Sequence, residues 1–276
     1  MESHSQRKNI LDRIVEARRE SVAHRKRVLP NVALKIAARK VDPARDFPGT
    51  LVRDGLNVIA ELKKASPSRG LIRPEYRPAE LAPLLEAAGA AALSVITEED
   101  FFSGSLGDMK AVHAVTQIPV LRKDFIIDPW QVWESRAAGA DSFLLITAIL
   151  TDEALGEMVE LGRSLGMEPL VEVHSREELD RAVAARARII GVNNRDLRNF
   201  EVQLDTSLDL VHAIPEDCLA VSESGLSTHE DLARMRRAGF DAFLIGEYLM
   251  KEADPSVPLR GLLGQVGVHR MSDSRG

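Results

Sequence analysis

The chain has 276 residues, an apolar fraction of 45% with only 4% aromatics, and a formal net charge of −6. Its length suits one large single-core domain, and a core built mainly from Ala, Val, Ile and Leu suits parallel strands alternating with helices. The mild acidity argues against a general nucleic-acid surface, and the single cysteine, Cys218, excludes an intrachain disulfide framework and a cysteine-built zinc cage. No apolar stretch approaches the length that spans a bilayer and the N-terminus lacks the apolar segment of a signal peptide, so a cytoplasmic protein is expected.

In chain order, residues 10–27 and 32–39 read as two helices ahead of the first strand. Their stripe of Ile10, Leu11, Ile14, Val15, Val22, Val28 and Leu29 must bury against something, either the floor of the domain or its upper face. The basic run from Arg18-Arg19 to Arg25-Lys26-Arg27 alternates with helix formers and reads as a solvated helix face. Strands follow at residues 57–61, 91–97, 119–123, 142–147, 168–173, 189–193, 219–223 and 242–246. Helical periodicity fills the segments between them, and Gly89, Gly139 and Gly239 each end a helix just before a strand. Eight successive strand–helix units favour a closed α/β architecture, a (β/α)8 or TIM barrel with an N-terminal helical extension, over an open doubly wound sheet. No Gly-x-Gly-x-x-Gly follows a strand, which weakens a dinucleotide-binding reading. The expected organisation is a single domain over 1–276, with the extension in 1–45, the barrel core in 56–250 and a C-terminal helix and tail in 251–276.

In such barrels chemistry gathers at the C-terminal ends of the strands, where the loops converge. Those positions supply Glu61 and Lys63, Thr97-Glu98-Glu99-Asp100, Arg122-Lys123-Asp124, Glu172 and His174, Asn193-Asn194-Arg195-Asp196, Ser222-Glu223-Ser224-Gly225, and Gly246-Glu247. Ionised groups are costly to bury unless paired or bound to a ligand, so this concentration of acids, lysines and amides points to catalysis. Ser224, Gly225 and Gly246 follow the seventh and eighth strands, where backbone N–H groups suit a phosphate, and Arg195 adds a bidentate donor. His174 stands alone and reads as a hydrogen-bonded structural group, so no metal site is expected. The acids 98–100 adjoin Phe101-Phe102, which favours a loop lining an apolar pocket over a cation site.

The motifs Ala60-Glu61-Leu62-Lys63-Lys64-Ala65-Ser66-Pro67-Ser68, Ser94-Val95-Ile96-Thr97-Glu98 and Leu121-Arg122-Lys123-Asp124-Phe125-Ile126 run in order along the chain. Glu172-Val173-His174, Gly191-Val192-Asn193-Asn194-Arg195-Asp196-Leu197, Ser222-Glu223-Ser224-Gly225 and Ile245-Gly246-Glu247 continue them. Together they resemble the indole-3-glycerol-phosphate synthase family, with Leu62 in place of the usual isoleucine and an aromatic Tyr248 as small departures. The resemblance implies ring closure, decarboxylation and dehydration of 1-(2-carboxyphenylamino)-1-deoxyribulose 5-phosphate, in tryptophan biosynthesis and without a cofactor. It assigns Lys123 as principal general acid, Lys63 as a second lysine that contacts substrate, and Glu172 as general base, leaving open how the lysines divide the acid work. By the same resemblance Glu61 and Glu223 orient lysines and substrate hydroxyls, while Asn193 holds a hydroxyl or developing oxyanion. Ser66, Pro67, Phe102, Phe125, Leu197 and Arg195 would contact substrate, with Pro67, Phe102, Phe125 and Leu197 forming an apolar slot for its ring. Lys63, Arg195, Ser224, Gly225 and Gly246 would hold the phosphate, and the extension would fold over the top of the barrel. The implied partner is a phosphorylated small molecule, with no nucleic acid or membrane, in a monomer or weak homo-oligomer. The rivals are another phosphate-binding barrel of the same pathway, whose acid–base pair would need a cysteine or aspartate at strand ends, and a catalytically silent barrel serving as a binding subunit.

Overall fold

The computed structural model describes residues 9–196 and 201–265. Eight parallel strands close into a barrel: β1 (Asn57–Leu62), β2 (Ala92–Ile96), β3 (Val120–Lys123), β4 (Ser142–Ile146), β5 (Leu170–Val173), β6 (Ile189–Asn193), β7 (Leu219–Glu223) and β8 (Ala242–Ile245). Each pairs with its sequence neighbours, and β8 closes on β1 with Ile59 opposite Leu244. The strands begin later than the apolar runs where a proline intervenes. Pro119 and Pro169 have no N–H to give the ladder, so β3 starts at Val120 and β5 at Leu170.

Both faces of every strand are buried, which is why the strands read as continuous apolar runs. Alternate residues separate into two cores. Val58, Ala60, Leu93, Leu145, Val171 and Ile190 pack outward against the helices. Ile59, Leu121, Leu144, Leu170, Ile189 and Val221 fill the barrel interior. The period of two then fixes the layer above: two residues beyond Ile59, Leu121, Leu170 and Val221 come Glu61, Lys123, Glu172 and Glu223. A buried apolar layer thus dictates where the charged one lies.

Three helices precede the barrel: α1 (Ile10–Val28), α2 (Asn31–Ala38) and α3 (Phe47–Leu51). The outer ring comprises α4 (Pro78–Ala87), α5 (Leu106–Val115), α6 (Pro129–Ala137), α7 (Asp152–Ser164), α8 (Arg176–Ala184), α9 (Asp205–Val211) and α10 (His229–Ala238). Two short helices, α11 (Glu247–Met250) and α12 (Ser256–Leu262), follow β8. Side-chain caps start many of them; Thr228 and Asp231 form a capping box on α10, which ends at Gly239 with φ of 119°, a left-handed conformation suited to glycine.

The preceding helices cover both ends of the barrel. α3, which has no counterpart in the sequence reading, plugs the N-terminal end with Phe47 and Leu51, both fully buried within the interior cluster. Each such side chain contributes about 1.5–3 kcal/mol of burial. α1 crosses the opposite end, where Leu11, Ile14 and Val15 join the same cluster as Phe125 and meet Phe101 and Phe102. The top, not the floor, therefore receives the first half of the α1 stripe, while Val22 packs beside α2 and α6 and Val28 and Leu29, expected to bury, stay exposed. α2 packs farther out, with Leu34 beside Val22 and Trp130.

The basic run of α1 is solvated at Arg19, Lys26 and Arg27, as expected, but Arg18 turns inward. Arg18 is 2% exposed and places one nitrogen 3.2 Å from Glu98 and 3.1 Å from Asp124. Arg25 pairs with Glu134, and Lys26 lies 2.8 Å from Asp128. The helix turns part of its basic run inward because the loops after β2 and β3 present carboxylates to it. No helix among the described residues is long and apolar enough to cross a membrane.

Candidate functional site

A cavity of about 350 Å³ opens at the C-terminal ends of the strands, a volume suited to a small-molecule ligand. At its base Lys123 Nζ lies 3.4 Å from Glu172 and 3.7 Å from Glu223. Lys63 Nζ lies 2.5 Å from Glu61 on the β1 side. Glu61, Lys63, Lys123, Glu172, Asn193 and Glu223 all line this one cavity.

Small residues make room for the acids. A Cβ on Gly191 would fall 2.2 Å from a Glu223 carboxylate oxygen, and one on Gly246 would fall 2.3 Å from a Glu61 oxygen. Gly246 therefore has a packing duty beyond the backbone approach inferred from sequence.

The charges act on one another. Burial alone would push the Lys123 ammonium toward neutrality, but Glu172, Glu223 and Glu61 outweigh it and hold the proton on. Burial would likewise raise Glu172; Lys123 and His174, helped by a hydrogen bond from Asn193, outweigh it and keep this carboxylate below the ordinary range. Burial and the neighbouring Glu172 charge push Glu223 up to about 8. Two carboxylates sharing one lysine are thus driven apart, one ionised and one protonated at neutral pH.

One wall is apolar. Pro67, Phe102 and Phe125 line it with Ile96, Leu144 and Ile146, and the Phe102 and Phe125 ring centroids are 6.1 Å apart. Ser66 lies beside Pro67 in a short two-stranded ribbon, Ala65–Ser66 with Gly70–Leu71, in the segment after β1. Leu197, the remaining expected member, lies outside the described residues. Glu98 is engaged in structure: it accepts from the N–H groups of Asp100, Phe101 and Phe102 as well as pairing with Arg18. It holds Phe102 against the cavity, while Glu99 and Asp100 are exposed. Among the described residues no group of three or more His, Cys, Asp or Glu side chains is placed to hold a metal ion.

The opposite wall gathers the residues expected to meet an anion. Ser224 and Gly225 follow β7 with successive φ values of 67° and 82°, a strained turn for a serine. Asn194 stabilises the turn, donating to the carbonyls of Glu223 and Ser224 at 3.0 and 3.1 Å. Gly246, Arg195 and Lys63 reach the same cavity. Arg195 lies 3.3 Å from Glu247, which also meets Arg69 and Lys251 and stays ionised because these cations outweigh its burial.

Sequence reasoning missed the cavity residues Arg69, Val202 and Lys251 and gave no role to Ser68, Tyr248 or Asp124, the last named only among the strand-end charges. Asp124 is the most consequential, accepting from Thr97 at 2.6 Å and Arg122 at 2.8 Å while pairing with Arg18. The alternation of β3 carried the signal: Lys123 points inward, so Arg122 points outward, where it donates to the Gln131 carbonyl and Ser135 hydroxyl on α6. Cys218 sits at the start of β7, its thiol 3.3 Å from the Ala187 carbonyl, at the end of the strand opposite Glu223. It therefore has no part in a strand-end acid–base pair.

Comparison with known proteins agrees with this geometry. Residues 11–262 match the family described as indole-3-glycerol phosphate synthase. The chain is 50% identical over 244 residues to the indole-3-glycerol phosphate synthase of Chloroherpeton thalassium, covering 87% of this chain and 94% of that protein. It is 54% identical over 209 residues to that of Pelodictyon phaeoclathratiforme, covering 75% and 82% of the two chains. For the enzyme of Laribacter hongkongensis the identity is 45%, covering 92% and 98%. Among solved structures, a thiamine phosphate pyrophosphorylase from Pyrococcus furiosus superposes with a TM-score of 0.56 at 16% identity, over 75% of this chain and 93% of that one. That likeness is one of fold.

Proposed function

The chain belongs to the indole-3-glycerol phosphate synthase family, and from that premise we propose that it converts 1-(2-carboxyphenylamino)-1-deoxyribulose 5-phosphate to indole-3-glycerol phosphate, carbon dioxide and water. The observation that carries the residue roles is the placement of Lys123 between Glu172 and Glu223 at the base of a cavity with one apolar and one anion-suited wall.

The aromatic ring lies against Pro67, Phe102 and Phe125, and the phosphate lies toward Ser224, Gly225 and Gly246 with Arg195 and Lys63 beside it. Between these anchors the ketone reaches the lysines. The ring carbon bearing the carboxylate attacks the ketone carbon, and Lys123 delivers a proton to the ketone oxygen. The cyclised iminium accepts the electron pair of the carbon–carboxylate bond, so carbon dioxide leaves without help from a cofactor. Dehydration follows: Glu172 removes a ring proton while a lysine protonates the departing hydroxyl. Glu61, paired with Lys63, and Glu223, near Lys123, fix both ammonium groups, and Asn193 holds the oxygen on which charge develops.

Mixing the purified protein with this substrate and following the rise of indole fluorescence tests the proposal. Absence of product with folded protein overturns it.

A further inference from the structure

His174 follows the last residue of β5, and the reaction scheme above leaves it unused. Its Nε2 lies 3.4 Å from the Oε1 of Glu172, and its Nδ1 lies 3.3 Å from the Oε2 of Glu178. Neither His174 Nε2 nor Glu172 Oε1 has a hydrogen-bond partner, although both are buried. They form an ion-pair contact, with the ring edge beside the carboxylate oxygen that faces away from Lys123.

The placement of His174 is built into the start of α8. Ser175 caps the helix through the N–H of Glu178, and Glu178 turns back to accept from the His174 N–H at 2.7 Å. The same Glu178 oxygen contacts Nδ1. The ring is thus tethered on its outer side by a carboxylate that is itself partly exposed, and presents its other nitrogen to the cavity base.

We propose that His174, held by Glu178, is a positioning residue that, as an imidazolium, keeps Glu172 oriented and ionised for its work as the base. The proposal deepens the proposed reaction and rests on the assignment of Glu172 as the base. Charge at the cavity base motivates it. Glu61, Glu172 and Glu223 gather at a site with two lysines, and Lys63 is closely paired with Glu61. Lys123 is shared between the other two acids. With Glu223 holding its proton at neutral pH, the imidazolium gives Glu172, the acid that must stay ionised, a cation on the side away from Lys123. The titratable groups facing the ring are Glu172 of β5, Glu178 of α8 and Glu223 of β7, with Lys123 of β3 beyond Glu172; Asn193 of β6 does not titrate. Burial pushes the imidazole toward neutrality, but Glu178, Glu172 and Glu223 outweigh it and raise its proton affinity.

The sign of the effect follows. A cation beside a carboxylate lowers its proton affinity, so removing the imidazolium makes Glu172 take up a proton at higher pH. His174→Gln should move the acid limb of the kcat profile upward by about one pH unit, with KM within about twofold. The deficit should shrink as pH rises, because Glu172 is then ionised in both proteins. Glu178→Gln, which keeps an acceptor for the His174 N–H, should move the limb the same way by less and guards against misfolding of the first variant. An acid limb unmoved in both variants, or a deficit equal at every pH, overturns the proposal. Glu172→Gln separates the two inferences: wild-type kcat in that variant sinks the base assignment itself, whereas an inactive Glu172→Gln with unmoved limbs in the other two sinks only the role of His174.

Discussion

The two ends of the barrel both bury carboxylates, and they treat them differently. At the N-terminal end Asp141 is buried with both oxygens occupied, accepting from the N–H of Arg45 at 2.8 Å and of Val120 at 2.9 Å. Asp241 likewise accepts from the Ala220 N–H, and Phe47 and Leu51 seal the space between the strands. At the C-terminal end, Oε1 of Glu172 and both oxygens of Glu223 are buried without a hydrogen-bond partner. Buried polar groups in native proteins are almost always satisfied, so the exceptions mark where the fold has given up stability for something else. The N-terminal end holds its acids for structure, and the C-terminal end, beside structural acids such as Glu98 and Asp124, keeps Glu172 and Glu223 for chemistry.

Substitutions that act on only one end test that contrast, and the largest effect belongs to the top. Lys123→Ala should lower kcat by about 10²–10⁴-fold, the usual worth of a positioned acid, without lowering the melting temperature. A variant that keeps more than about a tenth of wild-type kcat removes Lys123 from that role. At the bottom, Phe47→Ala should cost about 3–5 kcal/mol of stability and leave kcat of the folded protein unchanged. Loss of activity matched to intact stability would show that the two ends are coupled. Deleting the residues before Pro43 removes α1 from the top while α3 stays in the floor; kcat/KM should fall by about tenfold as water reaches the lysines, with the barrel still folded. Wild-type kinetics in the truncated protein would make α1 a stability element. The smallest effect is expected from Glu223→Gln. With Glu223 pushed up to about 8, the wild-type side chain is a neutral acid at pH 7, which Gln imitates, so kcat at pH 7 should fall by no more than about threefold. Above pH 8 the wild-type group ionises and the variant does not, and the two profiles should diverge there. Parallel profiles through pH 9 would place the proton elsewhere.

Much of the top was legible because the ends of the apolar runs could be located in sequence, and those ends carry Lys123, Glu172 and Glu223. Which face they occupy was not legible in continuous apolar runs; the structure sets them above Leu121, Leu170 and Val221 in the interior. The three glycine turns before strands were legible for a related reason, since a helix end in the left-handed region favours that residue. What escaped depended on partners far along the chain. Arg18 sits in a basic run that looks solvated, and its inward turn is decided by Glu98, 80 residues away. The five residues of α3, Phe-Pro-Gly-Thr-Leu, carry two poor helix formers and too few turns to show a period. Arg69 is brought to Glu247 only by closure of the barrel, whereas Lys251 meets the same carboxylate locally, four residues along the chain.

The long reach of Arg18 also bears on the order in which the molecule is assembled. Its two carboxylate partners lie in the loops after β2 and β3, so α1, though it precedes those strands in the chain, has nothing to dock on until they are in place. Closing so long a loop carries an entropic cost before any contact rewards it, which delays such pairings in folding. The helix that roofs the cavity is therefore expected to settle after the walls it spans, and its docking serves as a check on them. Glu98 sets the loop that carries Phe102, and Asp124 follows Lys123 directly, so α1 seats fully only when both are in position.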